Sequence, residues 1–121
     1  MSFDEKLSLL EQQGHEVPSR SIIKTNDQIE KIKESANINN AVLDLVAQNI
    51  KEGMTTDDIN KLVHDFTVSQ GAIPAPLNYC GFPKSVFTSL NNEICHGIPS
   101  EDIVLKNGDI VNVDVSTIYN G

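Results

Sequence analysis

The chain has 121 residues, 39% of them hydrophobic, and a formal net charge of −8 at pH 7, which suits one domain with its own core. The negative charge argues against a surface for nucleic acid or anionic membranes, because both need clustered Lys and Arg. No apolar run approaches the roughly 20 residues that cross a bilayer, and residues 1–5 lack the features of a secretory signal, which predicts a cytoplasmic protein.

The first predicted element is a short amphipathic helix over residues 2–13. Phe3, Leu7 and Leu10 fall on one side of it, and Gly14 is suited to end it. Residues 15–20 are mostly polar and include a proline, which is typical of a linker. We therefore expect residues 1–21 to form an N-terminal extension and linker.

A second, longer helix is predicted from Thr25 to about residue 51. Thr25 and Gln28 have the spacing of a capping box, which marks a helix start. Apolar residues then recur at intervals of three and four, which predicts a core-facing row: Ile29, Ile32, Ala36, Leu43, Val46 and Ile50. Asn39 falls in the same row, and we expect its side chain to be hydrogen-bonded within the packing.

A third helix is predicted between Gly53 and Gly71, beginning at Thr55. Its expected buried stripe consists of Ile59, Leu62, Val63 and Phe66. His64 lies outside this stripe, which predicts an exposed side chain. The two prolines that follow, within residues 72–77, exclude a helix there and disfavour a central strand.

The remaining sequence predicts β-structure. Residues 85–90 and 93–96 are short strand candidates separated by the turn pair Asn91 and Asn92, and residues 106–109 are a second turn. A further strand is expected over residues 110–118. The closing pair, Asn120 and Gly121, is a strong hairpin signal, so we expect a partner strand beyond it and a chain cut within its fold.

Asp114 is the unusual residue of the strand over residues 110–118. Alternate positions are β-branched on one face, whereas Asn112, Asp114 and Ser116 share the other face. A carboxylate there needs solvent, a hydrogen-bond donor or a cation. Two interpretations stay open, a solvated sheet face and a metal ligand.

Three motifs together resemble the N-terminal part of the type I methionine aminopeptidases. They read YCGFPKS at residues 79–85, NEICHGIP at 92–99 and GDIVNVDV at 108–115. The resemblance covers about residues 22–121. It implies an α+β chain, the N-terminal half of a pita-bread fold in which helices back a curved antiparallel sheet, with residues 22–121 as an incomplete catalytic domain.

The resemblance implies a dinuclear-metal hydrolase that removes the N-terminal methionine from nascent proteins. Its cofactors would be two divalent metal ions, drawn from Co, Mn, Fe and Zn, and its partner a peptide or nascent-chain N-terminus, with the ribosome as a further candidate. Asp114 matches the first of the family's metal ligands. The others, one Asp, one His and two Glu, would follow residue 121, so we expect these residues alone to be inactive and to hold no metal stably.

Four further residues match substrate-site positions of that family. His96 matches the histidine that contacts substrate near the scissile amide, where a neutral imidazole can donate or accept a proton. Tyr79, Phe82 and Phe87 match the pocket for the methionine side chain. From the residues alone, a backbone-bonded His96 and core packing of the three aromatic residues remain alternatives. Two positions depart from many relatives, with Cys80 in place of His and Phe87 in place of Cys.

Two other functions stay open from the sequence. One is a pita-bread peptidase that cleaves Xaa-Pro bonds, and the other is a metal-free binding module with the same fold. A zinc site at Cys80, Cys95 and His64 lacks the paired spacing that such sites show. With no secretory signal, we expect both cysteines to be reduced thiols.

Overall fold

The computed structural model describes all 121 residues, as three α-helices followed by four short strands. The helices are α1 (Phe3–Gln12), α2 (Asn26–Asn49) and α3 (Thr56–Ser69). The strands are β1 (Ile73–Pro74), β2 (Phe87–Leu90), β3 (Val111–Asp114) and β4 (Thr117–Ile118). Single turns of 3-10 helix occur at Arg20–Ile22 and Tyr79–Gly81. The predicted α+β class is confirmed, and none of the helices is long and apolar enough to span a membrane.

Each helix begins at a capping box. The Thr25 hydroxyl accepts from the Gln28 amide, and the Gln28 side chain accepts from the Thr25 amide, as predicted for α2. Thr55 and Asp58 form the same reciprocal pair at the start of α3. These bonds satisfy amides that would otherwise lack partners in the first helical turn. Residues only three positions apart therefore determine where each helix begins.

The core lies between α2, α3 and the β2–β3 pair. The two valines of β3 pack against it while partly buried. The buried members come from α2, α3, the segment into and along β2, and the loop before β3: Val42, Val46, Ile59, Val63, Val86, Leu90 and Leu105. α1 contributes no buried residue. Val86 belongs to the same cluster as Ile59 and Val63, so α3 packs against the segment that leads into β2.

The predicted core row of α2 is wrong over most of its length. Ile32 is 53% exposed and Ile29 and Leu43 are also exposed, whereas Val42 is only 1% exposed. α2 has two neighbouring apolar stripes, and α3 packs against the one that contains Val42 and Val46. Asn39 is hydrogen-bonded as expected, since its Oδ1 accepts from the Thr117 hydroxyl at 2.8 Å.

The four strands form two separate two-stranded antiparallel sheets. β2 pairs with β3 so that Phe87 lies opposite Asp114, and β1 pairs with β4. The strand predicted over residues 110–118 is therefore split at residues 115–116, because its partner changes from β2 to β1. Ala75 N–H continues the second pairing by donating to Ser116 O at 2.9 Å.

The strand predicted over residues 93–96 is absent. Asn91 and Asn92 do form a turn, but Asn91 N–H donates to Ile110 O at 2.8 Å, so the turn is tied to the start of β3. The chain then crosses the end of β2 instead of pairing along it. His96 has a φ of 56°, in the left-handed region, which is incompatible with a strand.

Candidate functional site

A cleft of about 660 Å³ opens beside β2. Its walls come from the 3-10 turn at Tyr79–Gly81, the segment that follows, the strand β2 and the residues around His96. The lining includes four residues singled out from the sequence: Tyr79, Phe82, Phe87 and His96. The structure thus brings together side chains that the sequence places up to 17 residues apart.

Three rings form a row along the cleft. The Phe82 and Phe87 ring centroids lie 4.4 Å apart with a 42° tilt, and those of Phe87 and His96 lie 4.6 Å apart with a 32° tilt. Tilted contacts at these distances are favourable between aromatic rings. Tyr79 stands at the rim and is 72% exposed. The arrangement is an apolar wall with an imidazole at one end.

His96 is placed by the residue that follows it. Gly97 N–H donates to Ser89 Oγ at 3.1 Å, and Gly97 O accepts from Thr88 N–H at 2.9 Å. A Cβ at Gly97 would lie 1.9 Å from Thr88 O, so only glycine permits this approach of the two backbones. The close contact fixes the backbone of His96 against β2.

Asp114 borders the same cleft. It is exposed at the end of β3, directly opposite Phe87, and residues opposite each other in antiparallel strands have neighbouring side chains. Asn112 and Ser116 are also exposed, and Ser116 lines the cleft. The predicted alternation along this strand is therefore confirmed, with the polar face toward the cleft.

The residues present do not by themselves fit two divalent metal ions. No group of three His, Cys, Asp or Glu side chains is close enough to hold a metal. The cleft lining contains no carboxylate, and Asp114 stands at its border with polar but uncharged neighbours on its strand face. A dinuclear centre needs several ligands for each ion, which a lone carboxylate does not supply.

A polar contact between α3 and the cleft wall was missed from the sequence. His64 was expected to be exposed, but it is half-buried, and its Nδ1 lies 2.8 Å from Ser85 Oγ. The prediction is wrong because His64, although outside the apolar stripe, faces another segment of the chain and not solvent. The signal was the spacing of Asp57, Asn60 and His64, which puts three polar side chains on one helix face.

An ion pair belongs to the same contact. Lys84 Nζ donates to Asp57 Oδ1 at 2.7 Å, and the Asp57 side chain is only 5% exposed. The bond from the Lys84 ammonium holds the pKa of the Asp57 carboxyl below its ordinary value, against the opposing effect of burial. The carboxylate therefore stays ionised in a nearly buried position.

Comparison with known families and structures gives a consistent result. Residues 30–121 match the model of metallopeptidase family M24. The chain is 50% identical over 95 residues to methionine aminopeptidase 1 of Saccharomyces cerevisiae, covering 78% of this chain and 24% of that protein. The chain thus spans about a quarter of the length of this relative. The resemblance to methionine aminopeptidases is confirmed.

Solved structures agree with this match. The crystal structure of methionine aminopeptidase from Rickettsia prowazekii superposes with a TM-score of 0.78 at 47% identity, covering 80% of this chain and 39% of that one. An Xaa-Pro dipeptidase from Bacillus anthracis superposes with a TM-score of 0.65 at 21% identity, covering 98% and 34%, and shows the shared fold alone. The expected pita-bread architecture is confirmed.

Proposed function

Because the chain belongs to metallopeptidase family M24, we propose that its cleft binds the methionine side chain at a peptide N-terminus. For the whole protein we propose hydrolytic removal of that methionine. The observation that carries this proposal is the row of Phe82, Phe87 and His96 beside Asp114, in a chain that resembles methionine aminopeptidases.

The aromatic wall suits a thioether. Phe82 and Phe87 line the cleft with their rings in contact, and sulfur makes modestly favourable contacts with aromatic rings. Tyr79, at the open rim, would cover the side chain of a bound methionine from outside. These three residues bind and orient the substrate in the proposal.

His96 stands where the apolar wall ends. Its imidazole is held on one side by the Phe87 ring and is otherwise exposed, so a peptide amide beyond the methionine side chain would meet it. An imidazole can donate or accept a proton near neutral pH. We assign to His96 the role of contacting the scissile amide and exchanging a proton there.

Asp114 is the one metal ligand that we propose for this chain. The family is one of metallopeptidases, and we propose two divalent ions from among Co, Mn, Fe and Zn, with the other ligands contributed by residues outside these 121. We further propose a nascent-chain N-terminus as partner, with the ribosome near it, a cytoplasmic location, and residues 1–21 as an extension and linker.

A chimera tests the proposed function. Residues 22–121 would replace the matching residues of the Rickettsia prowazekii methionine aminopeptidase, and release of methionine from a Met-Ala peptide would be measured with Mn²⁺ or Co²⁺. We expect the chimera to turn over this peptide and the 121-residue chain alone to show no turnover. An inactive but folded chimera, or an active isolated chain, would overturn the proposal as stated.

Variants of the chimera test the assigned residues. Asp114→Asn keeps the side-chain volume and removes the charge, so turnover should be lost and metal binding weakened. Asp109→Asn is the matched control, because Asp109 accepts bonds from Lys106 N–H and the Asn91 amide in a turn outside the cleft. Full activity of Asp114→Asn would remove Asp114 from the ligand set.

Comparing Met-Ala with Xaa-Pro peptides as substrates separates the proposed removal of methionine from the alternative enzymatic function. A peptidase for Xaa-Pro bonds is supported here by fold likeness alone. The chimera should therefore prefer Met-Ala to Xaa-Pro peptides, and the opposite preference would favour the alternative.

A further inference from the structure

Three polar residues on one face of α3 contact the cleft wall from behind. Asp57, Asn60 and His64 are separated by three and four residues, so they line up along the helix. Asp57 bonds Lys84, and Asn60 and His64 both bond Ser85. Lys84 and Ser85 lie between the cleft aromatics Phe82 and Phe87 in the sequence. None of the three lines the cleft.

The contact at Lys84 is an ion pair with one nearly buried partner. Asp57 Oδ1 accepts from Lys84 Nζ at 2.7 Å, whereas Lys61 Nζ lies farther from the carboxylate, at 3.4 Å, and its side chain is mostly exposed. A buried carboxylate that loses its close partner keeps its desolvation cost without compensation. Lys84 is therefore held in one place, and Lys61 is not comparably held.

The contacts at Ser85 fix both backbone and side chain. Ser85 N–H donates to Asn60 Oδ1 at 2.8 Å, and Ser85 Oγ is 2.8 Å from His64 Nδ1. Ser85 is buried, so water does not compete for these bonds. The path of the chain between Phe82 and Phe87 is set by α3.

The first turn of α3 also holds the other wall of the cleft. Ser100 N–H donates to Thr56 Oγ1 at 2.9 Å, and Ser100 O accepts from Thr56 Oγ1 at 3.1 Å. Ser100 follows the His96 segment by four residues. The two chain segments that carry the ring row are thus attached to neighbouring turns of one rigid helix.

We propose that Asp57, Asn60 and His64 are positioning residues that set the width of the cleft by fixing Lys84 and Ser85, and thereby tune its affinity for an N-terminal methionine. The part of this proposal that concerns methionine rests on the proposed function. The residues act through the placement of Phe82 and Phe87 and touch no substrate themselves.

The proposal differs from a merely stabilising role in what it predicts for the folded molecule. A stabilising contact changes the melting temperature and leaves the ring geometry and ligand affinity of folded molecules unchanged. A positioning contact changes both, because a small displacement of a binding group weakens the interactions it makes. The NMR signals of the Phe82, Phe87 and His96 rings report that geometry directly, since stacked rings shift one another's resonances.

The experiment uses the 121-residue chain and the dipeptide Met-Ala as probe, at a temperature where every variant is folded. Lys84→Met removes the cation and keeps an unbranched side chain, and we expect it to shift the three ring signals and to weaken dipeptide binding about tenfold. Lys84→Arg should restore both readouts to near wild type. Lys61→Met, the matched control, should change neither.

Unchanged ring signals and affinity in Lys84→Met, with only a lower melting temperature, would overturn the proposal. If Lys84→Met does not fold, Asn60→Ala takes its place, since it removes one hydrogen bond and no charge, and the same two readouts apply. If the wild-type chain binds no Met-Ala, the proposed function fails for these residues, and the ring signals of the variants still decide the positioning role.

Discussion

Phe87 connects the parts of the candidate site. Its ring contacts both Phe82 and His96, and its backbone lies opposite Asp114. The motif resemblance indicated all four residues, but their mutual contacts could not be predicted from the sequence. The register of β2 on β3 and the crossing of the chain at Gly97 decide those contacts, and both depend on packing between distant residues.

Replacing Phe87 tests this connecting role. We expect Phe87→Ala in the chimera to lower kcat/KM for Met-Ala by more than about tenfold, because the ring that holds His96 and faces the thioether is lost. Tyr79→Ala is the control, since Tyr79 lies at the rim without a ring partner among the cleft aromatics, and its effect should be smaller. Equal effects would contradict the central position of Phe87.

Two buried threonines make a matched pair for stability. Thr67 Oγ1 donates to Val63 O at 2.7 Å, whereas Thr88 Oγ1 is buried without a hydrogen-bond partner. Thr88→Val should therefore raise the free energy of unfolding by up to about 1 kcal/mol, and Thr67→Val should lower it by about 0.5–1.5 kcal/mol. Urea denaturation measures both, and destabilisation by Thr88→Val would show that its hydroxyl has a partner.

The Asp57 carboxyl predicts a pH dependence of stability. Its pKa in the folded chain lies below the unfolded value because Lys84 donates to it, so it stabilises the fold above the unfolded pKa. This contribution is lost as the pH falls through the folded pKa. Lys84→Met should cost about 1–3 kcal/mol near neutral pH. This cost should shrink as the pH falls below the unfolded pKa and through the lower folded pKa, where Asp57 becomes protonated in the wild type as well.

Melting curves of wild type and Lys84→Met over that pH range test the sign. Lys61→Met is the control, because its ammonium is exposed and farther from Asp57. If the difference in stability between wild type and Lys84→Met does not change with pH, the contact that is lost is packing of the side-chain stem and not the ion pair.

At the scale of elements, the helix starts were predictable and the buried faces were not. Capping boxes are local, so Thr25 and Gln28 marked the beginning of α2 correctly. The apolar residues of α2 form two stripes, and only the positions of α3 and β4 decide which one is covered. The strand prediction for residues 93–96 is wrong for a similar reason, because β2 pairs with β3 instead.

Substitutions on the two stripes of α2 check this description. Val42→Ala should lower the free energy of unfolding by roughly 1–3 kcal/mol, because it opens a cavity in the core. Ile32→Ala, on the same helix, should change it by less than about 0.5 kcal/mol, because the side chain is already half in solvent. Similar losses of unfolding free energy for both variants would mean that the row containing Ile32 is buried, as predicted from the sequence.

At the scale of the whole molecule, α3 joins the core to the candidate site. Its apolar face carries Ile59 and Val63 into the core, and its polar face holds Lys84 and Ser85 behind the cleft. The sequence indicated the family, the fold class and the cleft residues through three motifs. Its spacing puts Asp57, Asn60 and His64 on one face of α3, but it could not indicate that this face binds another segment, because side chains that bind another segment have the same composition as solvated ones.

The central claim is that the cleft recognises a methionine side chain, and an NMR titration of the 121-residue chain tests it most directly. Met-Ala-Ser should shift the Phe82, Phe87 and His96 ring signals in a saturable way, and Glu-Ala-Ser should bind at least about tenfold more weakly because the apolar wall offers its carboxylate no partner. Equal binding of the two peptides, or shifts confined to residues outside the cleft, would contradict the claim.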